Sequence, residues 1–289
     1  MSLIVLFVLV GTPLLLTLIA LSLARRRIVT GDEWKRVRLM LAAAVVTGGV
    51  VAWLLQGTLD LGRGAMLAPA ILGVSLVAGV GLGETVVRPR RPAGPRTASL
   101  ETRQVTEYLP RGVTTVVVAT AALHLAALTL TTATASADDM GRAGRQVAAQ
   151  CGGTGSVASP YPGSFYSGPL TALLVVMGLA TLAALMAVVR RPRGFAPDEV
   201  GDDVLRRAST TRVLAAAGAA LAASHAGIAF FAGTALLRMD CQRPWMAPVG
   251  WALLASVPVA LLVLGWLLGL IVTPGALPAE RAQQPVETR

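Results

Sequence analysis

Arg111 to Asp138 reads RGVTTVVVATAALHLAALTLTTATASAD, a charged boundary at each end of 26 mostly apolar residues. A helix needs about 20 such residues to cross a hydrocarbon core of about 30 Å. The run is continuously apolar, without the alternation of a lipid-facing strand, so a helix is expected and a barrel is excluded. His124 sits in its middle. Arg212 to Arg238 is a similar stretch with His225 at the same depth, and these are the only two histidines of the chain.

Seven segments meet the same criterion, at about 2–24, 39–57, 65–87, 112–135, 168–189, 213–237 and 249–272. Composition agrees: 54% of the 289 residues are hydrophobic and 14% are charged, against roughly a quarter charged in soluble domains. The expected fold is all-α, a polytopic bundle of seven transmembrane helices over residues 1–273, with a disordered tail at 274–289 rich in Pro, Gln and Glu. The net charge of +10 does not point to nucleic acid. Its arginines lie in short loops between apolar runs rather than on one folded surface.

Charge also orients the chain. The loops 25–38, 88–111 and 190–212 and the tail hold twenty Lys and Arg; the other loops hold five, Arg63, Arg142, Arg145, Arg238 and Arg243. The positive-inside rule places the first set in the cytoplasm. That gives N-terminus out and C-terminus in, as an odd number of spans requires. The first segment has Arg25, Arg26 and Arg27 after it and no basic residue before it, the reverse of a secretory signal, so it reads as a retained helix. Scarce lysine and abundant Arg, Ala, Gly and Val suggest a GC-rich bacterial genome, hence the cytoplasmic membrane.

Cys151 and Cys241 both fall in loops assigned to the outside, where disulfides persist. A bridge between them is expected, tying the loop after span four to the loop after span six; two unpaired thiols are the alternative. Loop 136–167 is rich in Gly, Ser and Pro. Its closing aromatics Tyr161, Phe165 and Tyr166, with Trp53, Trp245 and Trp251, suit an interfacial belt, with a ligand-binding mouth as the alternative. On the other side, Ser99 is placed to cap a short helix carrying Leu100 and Leu109 and stopped by Pro110. Segment 197–209 is its counterpart, acidic first and then basic.

Val86-Val87-Arg88 with Pro89 and Pro92 is echoed by Val188-Val189-Arg190 with Pro192, and Arg111 and His124 by Arg212 and His225 at an offset of 101 residues. Spans three–four and five–six therefore read as two copies of one hairpin, a parallel repeat. The two histidines would then be equivalent.

The histidines carry the candidate chemistry. Thirteen residues past Arg111 or Arg212 is about 20 Å of helix, near the middle of the bilayer. His124 shares a face with Thr120, Ala127 and Thr131, and His225 with Gly218, Ala222 and Ala229. Small faces permit close helix approach, and they would equally leave room for a flat cofactor. Three readings stay open: axial ligands of one b-type haem, interhelical hydrogen bonds to a Thr or a carbonyl, or a transition-metal or proton-relay role. Without haem, no cofactor is expected. Glu84 and Arg88 are spaced to pair at a helix end, with a coupling-ion role as the alternative. The run Gly79-Val-Gly-Leu-Gly-Glu84 lacks the preceding strand of a phosphate loop.

Other seven-helix chemistries fail on residues. A retinal Schiff base needs a lysine inside a span, whereas Lys35 lies in a loop. Ser224 adjoins His225, but neighbours on a helix point about 100° apart. No paired carboxylates, Ser–His unit or metal cluster sits at an interface, which disfavours an enzyme acting on lipid. The inner loop rich in Arg and Pro, followed by Ser99-Leu100…Tyr108-Leu109-Pro110-Arg111 and a span with His124, resembles uncharacterised multi-pass membrane proteins of high-GC Gram-positive bacteria. That resemblance covers most of the chain and implies no activity. The expected function is a non-enzymatic membrane component. It would be structural, partner-binding beside another membrane protein, or permease-like for an uncharged solute; the alternative is a haem-binding electron-transfer protein.

Overall fold

A computed structural model describes residues 32–58, 60–86, 104–192 and 199–272. The expected first span at 2–24 and the tail at 274–289 lie outside the described residues, as do Ser99, Arg88 and the side chains of Glu84 and Lys35. The chain is mostly helical. Its long helices are α1 (Asp32–Thr58), α2 (Arg63–Val86), α4 (Arg111–Thr134), α5 (Ser164–Arg190), α6 (Glu199–Leu237) and α7 (Met246–Val272). A single turn, α3 (Val105–Tyr108), precedes α4. Among the described residues, six helices are long and apolar enough to cross a membrane. The chain is a multi-pass membrane protein.

Helix α6 is the axis of the bundle. Between Val213 and Leu237 it carries eleven alanines and three glycines, a narrow helix built of strong or flexible helix-compatible residues. Lipid provides no hydrophobic drive for helices to associate, so close van der Waals contact has to do it, and small side chains allow that contact. Every residue from Arg212 to Ala222 is buried. Helices α7, α2, α4 and α5 all pack on α6, α7 most extensively. A Cβ added at Gly73 of α2 would overlap the Cβ of Ala220, and one at Gly218 would come within 2.6 Å of Val117 on α4 and 2.8 Å of Leu267 on α7. At Gly233 and Gly250, α6 and α7 touch backbone to backbone. Helix α1 packs along α2 through Gly48 against Ser75 and Gly79 against Ala44.

Several boundaries move. Lys35, expected in a loop, lies in α1, which starts at Asp32, before the apolar window Leu39–Gln56. The segment 197–209 is no separate short helix: from Glu199 it runs without a break into the span. At 39 residues, α6 is about 58 Å long, well beyond the hydrocarbon thickness. Its first turns carry Glu199 and Asp202, which suit the positive end of a helix dipole. Nearby, Arg206 is 1% exposed and donates to the carbonyls of Val188 and Val189 at 3.3 and 2.7 Å and of Pro192 at 3.4 Å. It satisfies the Val189 carbonyl at the end of α5 and shares that of Val188 with the Arg191 N–H. Tyr108 donates to Asp203 at 3.1 Å, and Thr210 donates to the Tyr108 carbonyl at 2.8 Å, so α3 is fastened to the same stretch of α6. The capping box of α3 starts at Gln104.

The opposite end is a folded cap rather than an irregular loop. Strands β1 (Val147–Cys151) and β2 (Thr154–Ala158) form an antiparallel hairpin. Its turn is Gly152-Gly153, with φ of 53° and 91°. A two-residue turn with two positive φ values calls for such residues, so glycines that look like loop composition in fact set the strand register. Cys151 and Cys241 form the expected disulfide, with Cα atoms 5.9 Å apart. It joins the hairpin to the connection between α6 and α7.

The cap also corrects the reading of the aromatics. Tyr161 and Tyr166 are 0% exposed, so they are core residues and not a belt. They pack with Val147, Leu170, Leu236 and Met246. Each hydroxyl has a partner, as a buried phenol requires: Tyr161 with Thr134 at 2.7 Å, Tyr166 with the Leu61 carbonyl at 3.0 Å. The guanidinium groups of Arg63 and Arg145 both lie against the ring of Phe165, at 4.6 and 4.1 Å. Trp53 and Trp251 remain exposed, at 63% and 64%, while Trp245 packs on the cap core.

Asp138 closes the turn after α4. Its carboxylate accepts from the backbone N–H groups of Met140 and Arg142 at 3.1 and 2.8 Å and from Nε of Arg142 at 2.7 Å. Partial desolvation pushes its pKa up, but the hydrogen bonds and charge of Arg142 prevail and hold it below 3.8. A depressed folded pKa means the turn is fully supported above the unfolded value and loses that support as pH falls through the lowered one. Hydrogen exchange of residues 138–142 should therefore be flat from neutral pH down to about 4, beyond its intrinsic pH dependence. It should accelerate below that, and Asp138→Asn should exchange fast at every pH. Unchanged protection in Asp138→Asn would show that the carboxylate is not what holds the turn.

Candidate functional site

Helices α4 and α6 lie side by side in the register expected from sequence. Gly218 meets Val117, and seven residues on, two turns of each helix, His225 meets His124. Both contacts keep the offset of 101. The imidazole centroids are 6.0 Å apart with the rings at 80°. Both rings are 0% exposed. The structure therefore brings the two predicted residues together.

The hydrogen bonds separate the two histidines. Nε2 of His225 lies 2.9 Å from Oγ of Ser256 on α7. Ser256 Oγ also lies 2.6 Å from the Leu253 carbonyl. With the hydroxyl proton on that carbonyl, the oxygen accepts from Nε2–H of His225 and the lone pair sits on Nδ1; with the proton turned to the imidazole, the tautomer is reversed. That Nδ1 has no partner, and neither nitrogen of His124 has one. The expected interhelical hydrogen bond exists for His225, made to a serine rather than a threonine. For His124 it does not: Thr120 and Thr131 on its own face donate to Val116 and Leu128 of their own helix.

Buried imidazole nitrogens without partners are costly, about 1–3 kcal/mol each, and native interiors rarely keep them. The site is a pair of buried imidazoles at near-right angles in an apolar setting, with three of their four ring nitrogens unpartnered. Ser224 is buried beside them, its hydroxyl also without a partner. Among the described residues no group of three or more His, Cys, Asp or Glu is placed to hold a metal.

The donor set suits haem iron, which takes two axial imidazoles. The packing does not. A macrocycle is a broad slab lying across both rings, yet neither ring exposes any surface, and Ala222 and Ala229 beside His225 are likewise 0% exposed. The small face of α6 is occupied by neighbouring helices, with Gly218 filled by Val117 and Leu267. Seating a haem would require α4 and α6 to part.

Ser256 is the residue that sequence reasoning missed. Its signal was present: it is the only hydroxyl side chain between Val249 and Val272. Glu84 and Arg88, the expected ion pair, lie outside the described side chains. The chain matches no protein-family model, no curated protein and no solved structure.

Proposed function

We propose that the chain is a non-enzymatic, structural or partner-binding component of a bacterial cytoplasmic membrane, N-terminus out and C-terminus in. The observation that supports a structural role over a permease is the filled axis. Helix α6 occupies the centre of the bundle, buried without interruption from Arg212 to Ala222 and pressed against α2, α4 and α7 by its small residues. A solute path along that axis would require these contacts to separate. The disulfide supports the orientation, because it belongs on the oxidising face, and the bias of Lys and Arg agrees.

Two measurements test this. Proteoliposomes should shrink and recover in glycerol at the rate of protein-free vesicles; accelerated glycerol entry would replace the structural reading with a permease. A C-terminal fluorescent-protein fusion should be bright and a C-terminal alkaline phosphatase fusion inactive, and the reverse would invert the topology. The purified protein should be colourless. A Soret band lost on His124→Ala would instead favour electron transfer through haem.

A further inference from the structure

Beyond that structural role, we infer that His124 and His225 form a two-coordinate site for a single soft monovalent d10 metal ion, of the cuprous class. The spacing carries the first part of the argument. A metal–imidazole bond is about 2.0 Å and a ring nitrogen lies roughly 1.2 Å from its ring centre, so two imidazoles on one ion have centroids up to about 6.4 Å apart, less where the nitrogen–metal–nitrogen angle bends. The observed separation is 6.0 Å. A direct hydrogen bond between the rings would draw them to about 5.3 Å, and neither His124 nitrogen makes one. A bridging water needs a gap of its own diameter. Rings with no exposed surface border no such gap, whereas a bare ion is smaller than a water molecule.

Ser256 carries the second part. Its oxygen lies 2.9 Å from Nε2 of His225, and where it accepts from Nε2–H the lone pair of His225 is left on Nδ1. Metal-bound histidines almost always donate their other N–H to such an outer partner. Ser256 is thus a positioning residue, and the two rings supply the bonds.

Charge and coordination number select the ion. Both ligands are neutral, and no third His, Cys, Asp or Glu completes a cluster among the described residues. Ionic charging energy in a low-dielectric interior rises with the square of the charge, so a divalent ion without a carboxylate or thiolate is strongly disfavoured. Zinc also seeks four ligands. A cuprous ion is monovalent and is content with two nitrogen donors in a near-linear arrangement.

The test uses full-length protein in detergent, titrated anaerobically with Cu(I) against the chromogenic chelator bicinchoninate. One Cu(I) per chain should resist the chelator, with an X-ray absorption edge of a two-coordinate, nitrogen-ligated ion. The His124→Gln/His225→Gln double variant should bind at least a hundredfold more weakly. Ser256→Ala should weaken binding about tenfold with the same coordination. Because the double variant could misfold, gel filtration accompanies it and the wild-type absorption spectrum stands as an independent readout. Wild-type protein that yields its copper as readily as the double variant overturns the site. So does sulfur ligation in the wild-type spectrum, equal retention of Zn(II) after dialysis, or a haem Soret band that disappears with either histidine.

Discussion

Replacing Cys151 with Ser should lower the melting temperature by roughly 5–15 °C and abolish the mobility difference between reduced and oxidised protein. The bridge spans 90 residues. For a fully unfolded chain, loop closure of that length is worth about 4.6 kcal/mol. A denatured membrane protein keeps much of its helix, so the unlinked state is less disordered and about 2–4 kcal/mol is expected. The effect should be concentrated in the cap, because the disulfide sews the β1–β2 hairpin to the α6–α7 connection over a core built on Tyr161, Tyr166 and Met246. Cys241→Ser should match Cys151→Ser, and the double variant should be no worse than either, since one bond is lost in all three. Reductant should bring wild type to the same melting temperature. A Cys151→Ser protein that melts with wild type would show that the tyrosine core holds the cap without the bridge.

The second large effect is steric. Gly73 faces Ala220 where α2 crosses α6, and an added Cβ would collide with the Ala220 Cβ while lying 3.1 Å from Sδ of Met177. The obstacle is a Cβ fixed to the central helix, which no rotamer change can move. Gly73→Ala should cost about 1–3 kcal/mol. Gly73→Leu exceeds what the interface can absorb and should abolish the monodisperse gel-filtration peak. Ala220→Gly vacates the space that Gly73→Ala needs, so the pair should show a favourable coupling of about 1 kcal/mol or more in a double-mutant cycle. Additive losses would mean that α2 and α6 are not in contact there.

Gly218, by contrast, meets the ends of the Val117 and Leu267 side chains, which have freedom to give way. Gly218→Ala should be the milder change. Its consequence is local to α4 and α6, and therefore to the spacing of the two imidazoles two turns away. The glycines within the spans act through their lack of a side chain more than through backbone freedom; among the described residues the latter is used at Gly62, Gly141, Gly144 and the Gly152-Gly153 turn, all with positive φ.

Span positions were legible because lipid imposes a single demand, satisfaction of every backbone polar group inside an apolar helix, and composition alone reveals where that is met. Six of the expected spans coincide with the six apolar helices of the described residues. The partnership of Cys151 and Cys241 was legible for a similar reason, since only two thiols exist and both fall on one face. The hairpin was not. Its two strands carry little alternation, with Gly155 and Ser156 opposite Gln150 and Ala149, so only the Gly-Gly turn marked it. The burial of Tyr161 and Tyr166 was equally hidden, because an aromatic beside a span has the same local sequence in a belt and in a cap. Which it becomes depends on the Leu61 carbonyl and Thr134, which are distant in the chain.

The sequence by itself determined that this is a multi-pass helical membrane protein and that two histidines lie at matching depths 101 residues apart. Both follow from one-dimensional quantities, hydrophobic length and residue offset along helices of fixed rise. Only the tertiary structure decided that α6 is the axis, that its narrow Ala- and Gly-built surface is consumed by packing, and that the rings pack at near-right angles with centroids 6.0 Å apart. It alone supplied Ser256, because rotation of α7 about its own axis leaves no trace in hydropathy. A hydroxyl pointing at lipid and one set against a buried imidazole read identically until the helices are in place.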